Sequence, residues 1–461
     1  MSIKAAFIVP HPPIILPAVG RGEEKKISAT TDSYRAVAAA VAEAAPETIV
    51  LTSPHSVMYR DYFHISPGKS AHGDMAEFRA KSVSVDKQYD CEFVKALSAL
   101  ADKEGLPAGT LGEKEARLDH GTVIPLSFID EAYTDYKLVR IGLSGLGALE
   151  HYRLGKLIAR TAEQLNRRVV FIASGDLSHK LKEDGPYGFA AEGPVFDSEV
   201  TAAMADGDFL KMLSFPEGFC SAAAECGLKS FQIMAGALDG LSVESRLLSY
   251  EGPFGVGYGV ASFIPTGSDK SRRFDEILMQ NEARAMSSVR SGEDGYVSLA
   301  RHAVEYFISN GSDMPLPGGL PDDMTNRRAG VFVSLKKDGE LRGCIGTISP
   351  TEPSIALEII RNARLACSED PRFMPVEKDE LPHIIYSVDV LGETERIASP
   401  DELDVKRYGV IVSYHGRRGL LLPNLEGVDT VSDQIDIARR KGGIAKDDSY
   451  TLERFEVVRH K

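Results

Sequence analysis

The stretch Phe7-Ile8-Val9-Pro10-His11-Pro12-Pro13 sets the reading of the first half of the chain. Ala5 to Val9 is apolar and β-favouring, and it stops at a histidine fenced by prolines, which end the strand and fix the backbone on either side of the ring. The arrangement recurs twice. Thr48-Ile49-Val50-Leu51-Thr52 runs into Ser53-Pro54-His55, and Val169-Val170-Phe171-Ile172-Ala173 runs into Ser174-Gly175-Asp176-Leu177-Ser178-His179. Three apolar strands thus each deliver a histidine just past their C-terminal ends, the edge at which an open α/β sheet gathers ligands and catalytic groups. One histidine after a strand is more often structural; three in one placement point to a site.

Working outward, Thr31–Ala45 reads as an alanine-rich helix with Thr31 or Asp32 as N-cap. With the strands on either side it forms a β-α-β unit, which implies a right-handed crossover and a parallel pair. Cys91–Lys103, Leu149–Leu165, Val195–Ala205 and Cys226–Leu238 have the texture of further helices, and Tyr136–Leu143 and Tyr258–Phe263 that of further strands. The expectation for residues 1–265 is an α/β domain with a mostly parallel central sheet flanked by helices. Residues 60–90 are polar and irregular apart from Tyr62–Ser66, and His64 and His72 within them read as surface or edge histidines.

The breaker-rich run from Pro265 to Arg273 marks a boundary, with 266–274 as a linker. Residues 275–461 read as an α+β domain. Glu282–Ser309 is mainly helical and Gly311–Arg328 is a loop. Val331–Leu335 and Leu341–Ile345 flank an Asp338-Gly339 hairpin turn. A helix follows at Ser354–Ala366, then four strands, with Val431–Lys441 as a last helix.

Composition narrows the function. With 43% hydrophobic and 26% charged residues the chain is an ordinary globular protein. A net charge of −14 and the lack of a basic stripe argue against a nucleic-acid surface. No run reaches the ~18 apolar residues of a spanning helix, and the apolar N-terminal run is broken too early for a signal peptide. Five scattered cysteines, never spaced as CxxC, suit a reducing cytoplasm.

Two strand-end histidines that hold a metal need a third donor. Glu225, in Ala222-Ala223-Ala224-Glu225-Cys226-Gly227-Leu228, is a carboxylate in uncharged company, costly unless paired or ligating a cation. The alternative is a carboxylate stabilised at a helix N-terminus. Two imidazoles and a carboxylate make the facial triad of non-haem Fe(II) oxygenases, and the same set holds zinc for hydrolysis.

Pro10-His11-Pro12-Pro13, Ser53-Pro54-His55, Asp119-His120-Gly121-Thr122, Ser174-Gly175-Asp176-Leu177-Ser178-His179 and the Glu225 segment, in this order, resemble the class III (LigB-type) extradiol ring-cleavage dioxygenases. The resemblance covers residues 1–265. It implies Fe(II) held by His11, His55 and Glu225, His179 as the acid/base that takes a proton from a catechol-type hydroxyl, and His120 lining the pocket against substrate or O2. Asp119 and Asp176 are candidates to orient His120 and His179, against a capping or loop role. The Memo family shares this fold but holds its metal with a cysteine followed by glycine, as in Cys226-Gly227. The third ligand is therefore Glu225 or Cys226. Glu225 is preferred here because a carboxylate completes a ferrous triad, whereas a thiolate favours copper.

In the second half, Leu341-Arg342-Gly343-Cys344-Ile345-Gly346-Thr347, Asp370-Pro371-Arg372-Phe373 and Gly416-Arg417-Arg418-Gly419-Leu420-Leu421-Leu422-Pro423 resemble the AMMECR-type domain. A chain joining both halves resembles the AmmeMemoRadiSam system A family. That resemblance implies a small aromatic substrate and O2 as reactants, Memo-like and radical-SAM proteins as companions, and homo-oligomerisation as an option. Arg342 beside Cys344 would lower the thiol pKa and make it a nucleophile, while strand alternation would equally place Cys344 in the core. Arg342, Arg372 and Arg417 are either one anion site or separate surface charges. Gly142-Leu143-Ser144-Gly145-Leu146-Gly147 is too loose for a dinucleotide fingerprint.

Overall fold

The computed structural model describes residues 1–461 apart from Glu115, Ala116, Asp338 and Glu426, so the Asp338 half of the expected turn lies outside the described residues. The chain divides into two units, Met1–Leu278 and Met279–Lys461.

The first unit is built on a six-stranded sheet. Its strands are β1 (Ile3–Val9), β2 (Thr48–Ser53), β3 (Lys137–Gly142), β4 (Val169–Ser174), β5 (Leu241–Glu251) and β6 (Tyr258–Ser268), in the spatial order β3-β2-β4-β1-β6-β5. The first four in that order are mutually parallel. The last two join antiparallel, making the sheet mixed. β1, β2 and β4 are apolar on both faces because helices cover both sides. Phe7, Val9, Leu51 and Ile172 pack on one side with Tyr34, Val37 and Val41 of helix α1 (Ser28–Ala44). Ala6, Ile8, Val50 and Phe171 pack on the other with Phe93 and Leu97 of α2 (Cys91–Lys103). Three more helices complete these cores: α3 (His120–Asp130) on the Tyr34 side, and α4 (Ala148–Gln164) and α5 (Leu228–Ala237) on the Phe93 side.

Two expectations shift. β6 continues to Ser268, followed by a 3-10 turn at Lys270–Arg272 and helix α6 (Phe274–Gly292), so the residues read as linker carry regular structure. β5 was not anticipated: half-buried Val243 and Leu247 alternate with exposed Glu244, Arg246 and Leu248, the pattern of a half-exposed edge strand, but Ser245 and Ser249 interrupt its apolar face.

The second unit carries two four-stranded sheets with antiparallel pairings. One is ordered β8-β7-β9-β14, from β7 (Val331–Lys337), β8 (Glu340–Gly346), β9 (Ile384–Leu391) and β14 (Val457–His460). The other is β10-β13-β11-β12, from β10 (Glu395–Ile397), β11 (Gly409–Tyr414), β12 (Arg417–Leu421) and β13 (Thr451–Phe455). Val331, Val333, Tyr386 and Val388 of the first sheet pack against Ala300 and Val304 of α7 (Gly295–Asn310) and Ile359 and Ala363 of α8 (Ile355–Ser368). Among the described residues no helix is long and apolar enough to cross a membrane.

Candidate metal centre

Each strand-end histidine is fixed by what receives its turn. Past β1, the Tyr34 hydroxyl donates to the carbonyl of Pro10, and the His11 N–H donates to Asp176 Oδ1 at 2.7 Å. The His11 ring is 1% exposed, and its Nδ1 lies 2.9 Å from Ser174 Oγ. The Ser174 hydroxyl in turn donates to the Gly121 carbonyl at 2.6 Å. With its one proton so used, Ser174 must accept from Nδ1–H. The His11 tautomer is thereby set, and its Nε2 lone pair faces the site.

Past β2, the His55 N–H donates to Ser53 Oγ at 3.2 Å, and Ser53 donates to Asp119 Oδ1 at 2.6 Å. Asp119 is also the N-cap of α3, accepting the Thr122 N–H. His120 opens that helix and lies over His55, with ring centroids 4.0 Å apart. Asp119 thus caps a helix, accepts from Ser53 and lies 3.5 Å from Arg140, while Asp176 holds the His11 backbone; among the described residues neither carboxylate is hydrogen-bonded to the ring of His120 or His179.

Past β4, the chain turns into the segment that precedes α5. His179 Nδ1–H donates to the Ala224 carbonyl, leaving Nε2 as the lone-pair nitrogen, and Ser178 Oγ donates to the Ala223 carbonyl at 2.8 Å. The two turns approach because neither has a side chain in the way: a Cβ on Gly175 would lie 2.1 Å from the Gly227 Cα. This contact brings Cys226 in. Its Sγ accepts the Asp176 N–H at 3.3 Å and lies 3.8 Å from His11 Nε2.

The His11 and His55 Nε2 atoms are 3.0 Å apart, and with Cys226 Sγ they form a group of donor atoms all within 4.8 Å of one another. Glu225 is not in that group. Its Oε2 accepts the Leu228 N–H at 2.7 Å at the start of α5, the helix-terminus arrangement weighed as the alternative for it.

Electrostatics matches a cation site. Burial, reinforced by His55 and its neighbours, holds His11 well below 6.5, and burial lowers His55 as well. Burial, then His55, brings His120 to about 4, and burial lowers His179. Four neutral imidazoles therefore face one space. Burial raises the Cys226 thiol well above 9.0, helped by Asp176 and Glu225, and pushes the Glu225 carboxyl up to about 7. A metal would displace the thiol proton, so uptake releases a proton.

His11, His55, His120 and His179 all line a cavity of about 810 Å³, with Phe78, Tyr187, Phe254 and Tyr258 as its aromatic wall. That wall escaped the sequence reading, although Gly185-Pro186-Tyr187-Gly188 and Gly252-Pro253-Phe254-Gly255 repeat one pattern. The two loops touch: a Cβ on Gly255 would meet the Gly185 Cα at 2.9 Å. His64 and His72 lie elsewhere, bonded to the Glu113 carbonyl and Asp86.

In the second unit Arg342 grips Glu380 through two bonds of 2.9 and 2.7 Å, Arg372 pairs with Asp370, and Arg417 donates to the Gly443 carbonyl. The three arginines thus have separate partners. Cys344 is half-buried, and its Sγ accepts from Ser334 Oγ at 3.2 Å.

Comparison with known proteins agrees with this division. Residues 5–261 match the family described as the catalytic LigB subunit of aromatic ring-opening dioxygenase, and residues 297–460 match AMMECR1. Protein CA_C1420 of Clostridium acetobutylicum is 43% identical over 100% of both chains. A protein of Thermotoga maritima is 49% identical over 37% of this chain and 99% of its own. Among solved structures, the uncharacterized protein PH0010 from Pyrococcus horikoshii is 30% identical over 36% of this chain and 89% of its own, with a TM-score of 0.34. The uncharacterized protein JW3007 from Escherichia coli K12 is 17% identical over 56% and 99%, with a TM-score of 0.39. The chain belongs to the family in which a LigB domain is followed by an AMMECR1 domain.

Proposed function

We propose that the LigB domain is a metal-dependent oxidoreductase that holds its ion with His11, His55 and Cys226 and takes a small aromatic substrate into the adjoining cavity. The observation that carries this reading is the convergence of the three donor atoms within 4.8 Å, in a pocket where the imidazoles are neutral. One thiolate and two imidazoles suit copper better than the harder Fe(II) of a carboxylate triad. Such an ion would supply redox chemistry toward a bound substrate or O2. The protein's own residues supply the rest. Phe78, Phe254 and Tyr258 give an apolar wall for a ring. His179, its Nδ1–H tied to Ala224, offers Nε2 to take a hydroxyl proton, and its lowered pKa keeps that lone pair available at neutral pH.

A second reading is Fe(II)-dependent extradiol ring cleavage, with Glu225 as third ligand. It draws on the same aromatic wall and on His179 as base. Its cost is that Glu225 must leave the Leu228 N–H that it caps. Metal analysis of anaerobically purified protein, followed by oxygen uptake with a panel of catechols, separates the two. Copper at one ion per chain supports the first reading. Iron with catechol-dependent oxygen uptake, lost in Glu225→Ala, replaces it with the second. Protein that takes up no metal refutes both.

A further inference from the structure

The face of the β8-β7-β9-β14 sheet turned away from its helices lines a cavity of about 740 Å³, closed on another side by β12 and the segment after it. Its volume is within the range of small-molecule sites. Phe332, Leu420, Leu421 and Leu422 give it an apolar floor. Its charges are nearly all positive. Arg459 is neutralised by Asp389 at 2.7 Å and Arg372 by Asp370 at 2.7 Å. Lys336, Lys441 and Lys461 also line it, and none forms an ion pair among the described residues. Three ammonium groups around an apolar cavity, in a chain of net charge −14, are an electrostatic arrangement that attracts an anion.

We infer that this cavity binds a small amphipathic anion, an apolar body with a carboxylate or phosphate head, with the body on Phe332 and Leu420 and the head at Lys336 and Lys441. Cys344 reports on occupancy. It pairs across strands with Ser334, which lines the same cavity and donates to its sulfur, so the thiol lies on the cavity face and not in the core. A ligand seated there shields the thiol from reagents entering from solvent.

The test uses the full chain and follows alkylation of Cys344 by N-ethylmaleimide with peptide-resolved mass spectrometry. Exposed Cys91 serves as the internal control. Octanoate, octyl phosphate and 1-octanol are the probes. The expected result is that octanoate or octyl phosphate slows Cys344 labelling by about tenfold, 1-octanol has little effect, and Cys91 is unchanged. Whichever anion protects at lower concentration identifies the head group. Lys336→Gln with Lys441→Gln should abolish the protection while the melting temperature stays near that of the parent, since both lysines are exposed. Raised salt should weaken protection in the unaltered chain, a second measure that needs no variant. Equal protection by 1-octanol, protection by none of the three, or protection that survives both the lysine substitutions and high salt would overturn the assignment.

Discussion

His11 Nδ1 lies 2.9 Å from Ser174 Oγ, and the serine's own proton is spent on the Gly121 carbonyl. The serine therefore decides which imidazole nitrogen is free for a metal. Removing such an orienting partner typically costs ~10–100-fold in metal affinity. Ser174→Ala should show that loss in competition with a chelator, with His11 itself still in place. Unchanged affinity would mean that the ring is oriented by its packing alone.

The third ligand is separable by substitution. Cys226→Ser should empty the site, because Cys226 Sγ is the donor that lies with the two Nε2 atoms. Glu225→Ala should keep the ion and lower the melting temperature, as expected for a lost helix-terminus acceptor worth ~1 kcal/mol. Metal content by mass spectrometry together with a thermal melt reads both. The reverse pattern would restore Glu225 to the ligand shell.

His179 should behave differently from either. It donates to Ala224 and lines the cavity without belonging to the donor group. His179→Ala is expected to retain metal and to slow turnover of whatever aromatic substrate the panel identifies by ~10²–10⁴-fold, the usual contribution of an acid/base group. Loss of metal in this variant would make His179 a ligand.

Gly175→Ala tests the contact that brings Cys226 in. The added Cβ would sit 2.1 Å from the Gly227 Cα, backbone against backbone, so one turn must move. Overpacking of this kind costs ~1–3 kcal/mol. The expected outcome is a lower melting temperature together with weaker metal binding. A variant that melts earlier but binds metal as tightly as the parent would show that the Cys226 turn is held by other contacts.

In the AMMECR1 domain, stability should fall in acid. Hydrogen bonds from Arg372 hold the Asp370 carboxyl at about 2 against its usual 3.8, and those from Arg342 hold Glu380 at about 2 against 4.5. The folded state gives up these protons more readily than the unfolded one, so stability rises with pH across this interval. The contribution is complete above pH 4.5 and is lost as pH falls toward 2. Thermal melts of the full chain against pH, with Asp370→Asn and Glu380→Gln, should show a shallower acid slope in the variants. Identical slopes would remove these pairs from the acid response.

What the sequence disclosed follows from how local its signals are. His11, His55 and His179 were visible because apolar strands and the residues that stop them are short, contiguous patterns. Their meeting point follows from parallel strands ending at one sheet edge. The position of Cys226 was less legible. Glu225 and Cys226 are adjacent, and which one joins the His11 and His55 nitrogens depends on two turns 50 residues apart packing glycine to glycine. Chain chemistry favoured the carboxylate; backbone geometry presents the sulfur. The strand Leu241–Glu251 is hard to read from sequence because Ser245 and Ser249 stand on its half-buried face and Leu248 and Tyr250 on its exposed face, which breaks the period-2 signal. Cys344 shows the same limit: alternation says that it has a face, while only the second sheet shows that this face borders a cavity.

The donors of the metal group come from distant parts of the domain, His11 and Cys226 being 215 residues apart. An ion gripping both would act as a removable cross-link that closes most of the domain into one loop. Anything bound by the folded chain alone stabilises it by mass action, ~2.7 kcal/mol at a hundredfold excess over Kd. That is a large share of the ~5–15 kcal/mol that holds a typical domain together. A domain built this way would live longer in metal-replete cells and be cleared faster in starved ones, so its abundance would track metal supply without any separate regulator.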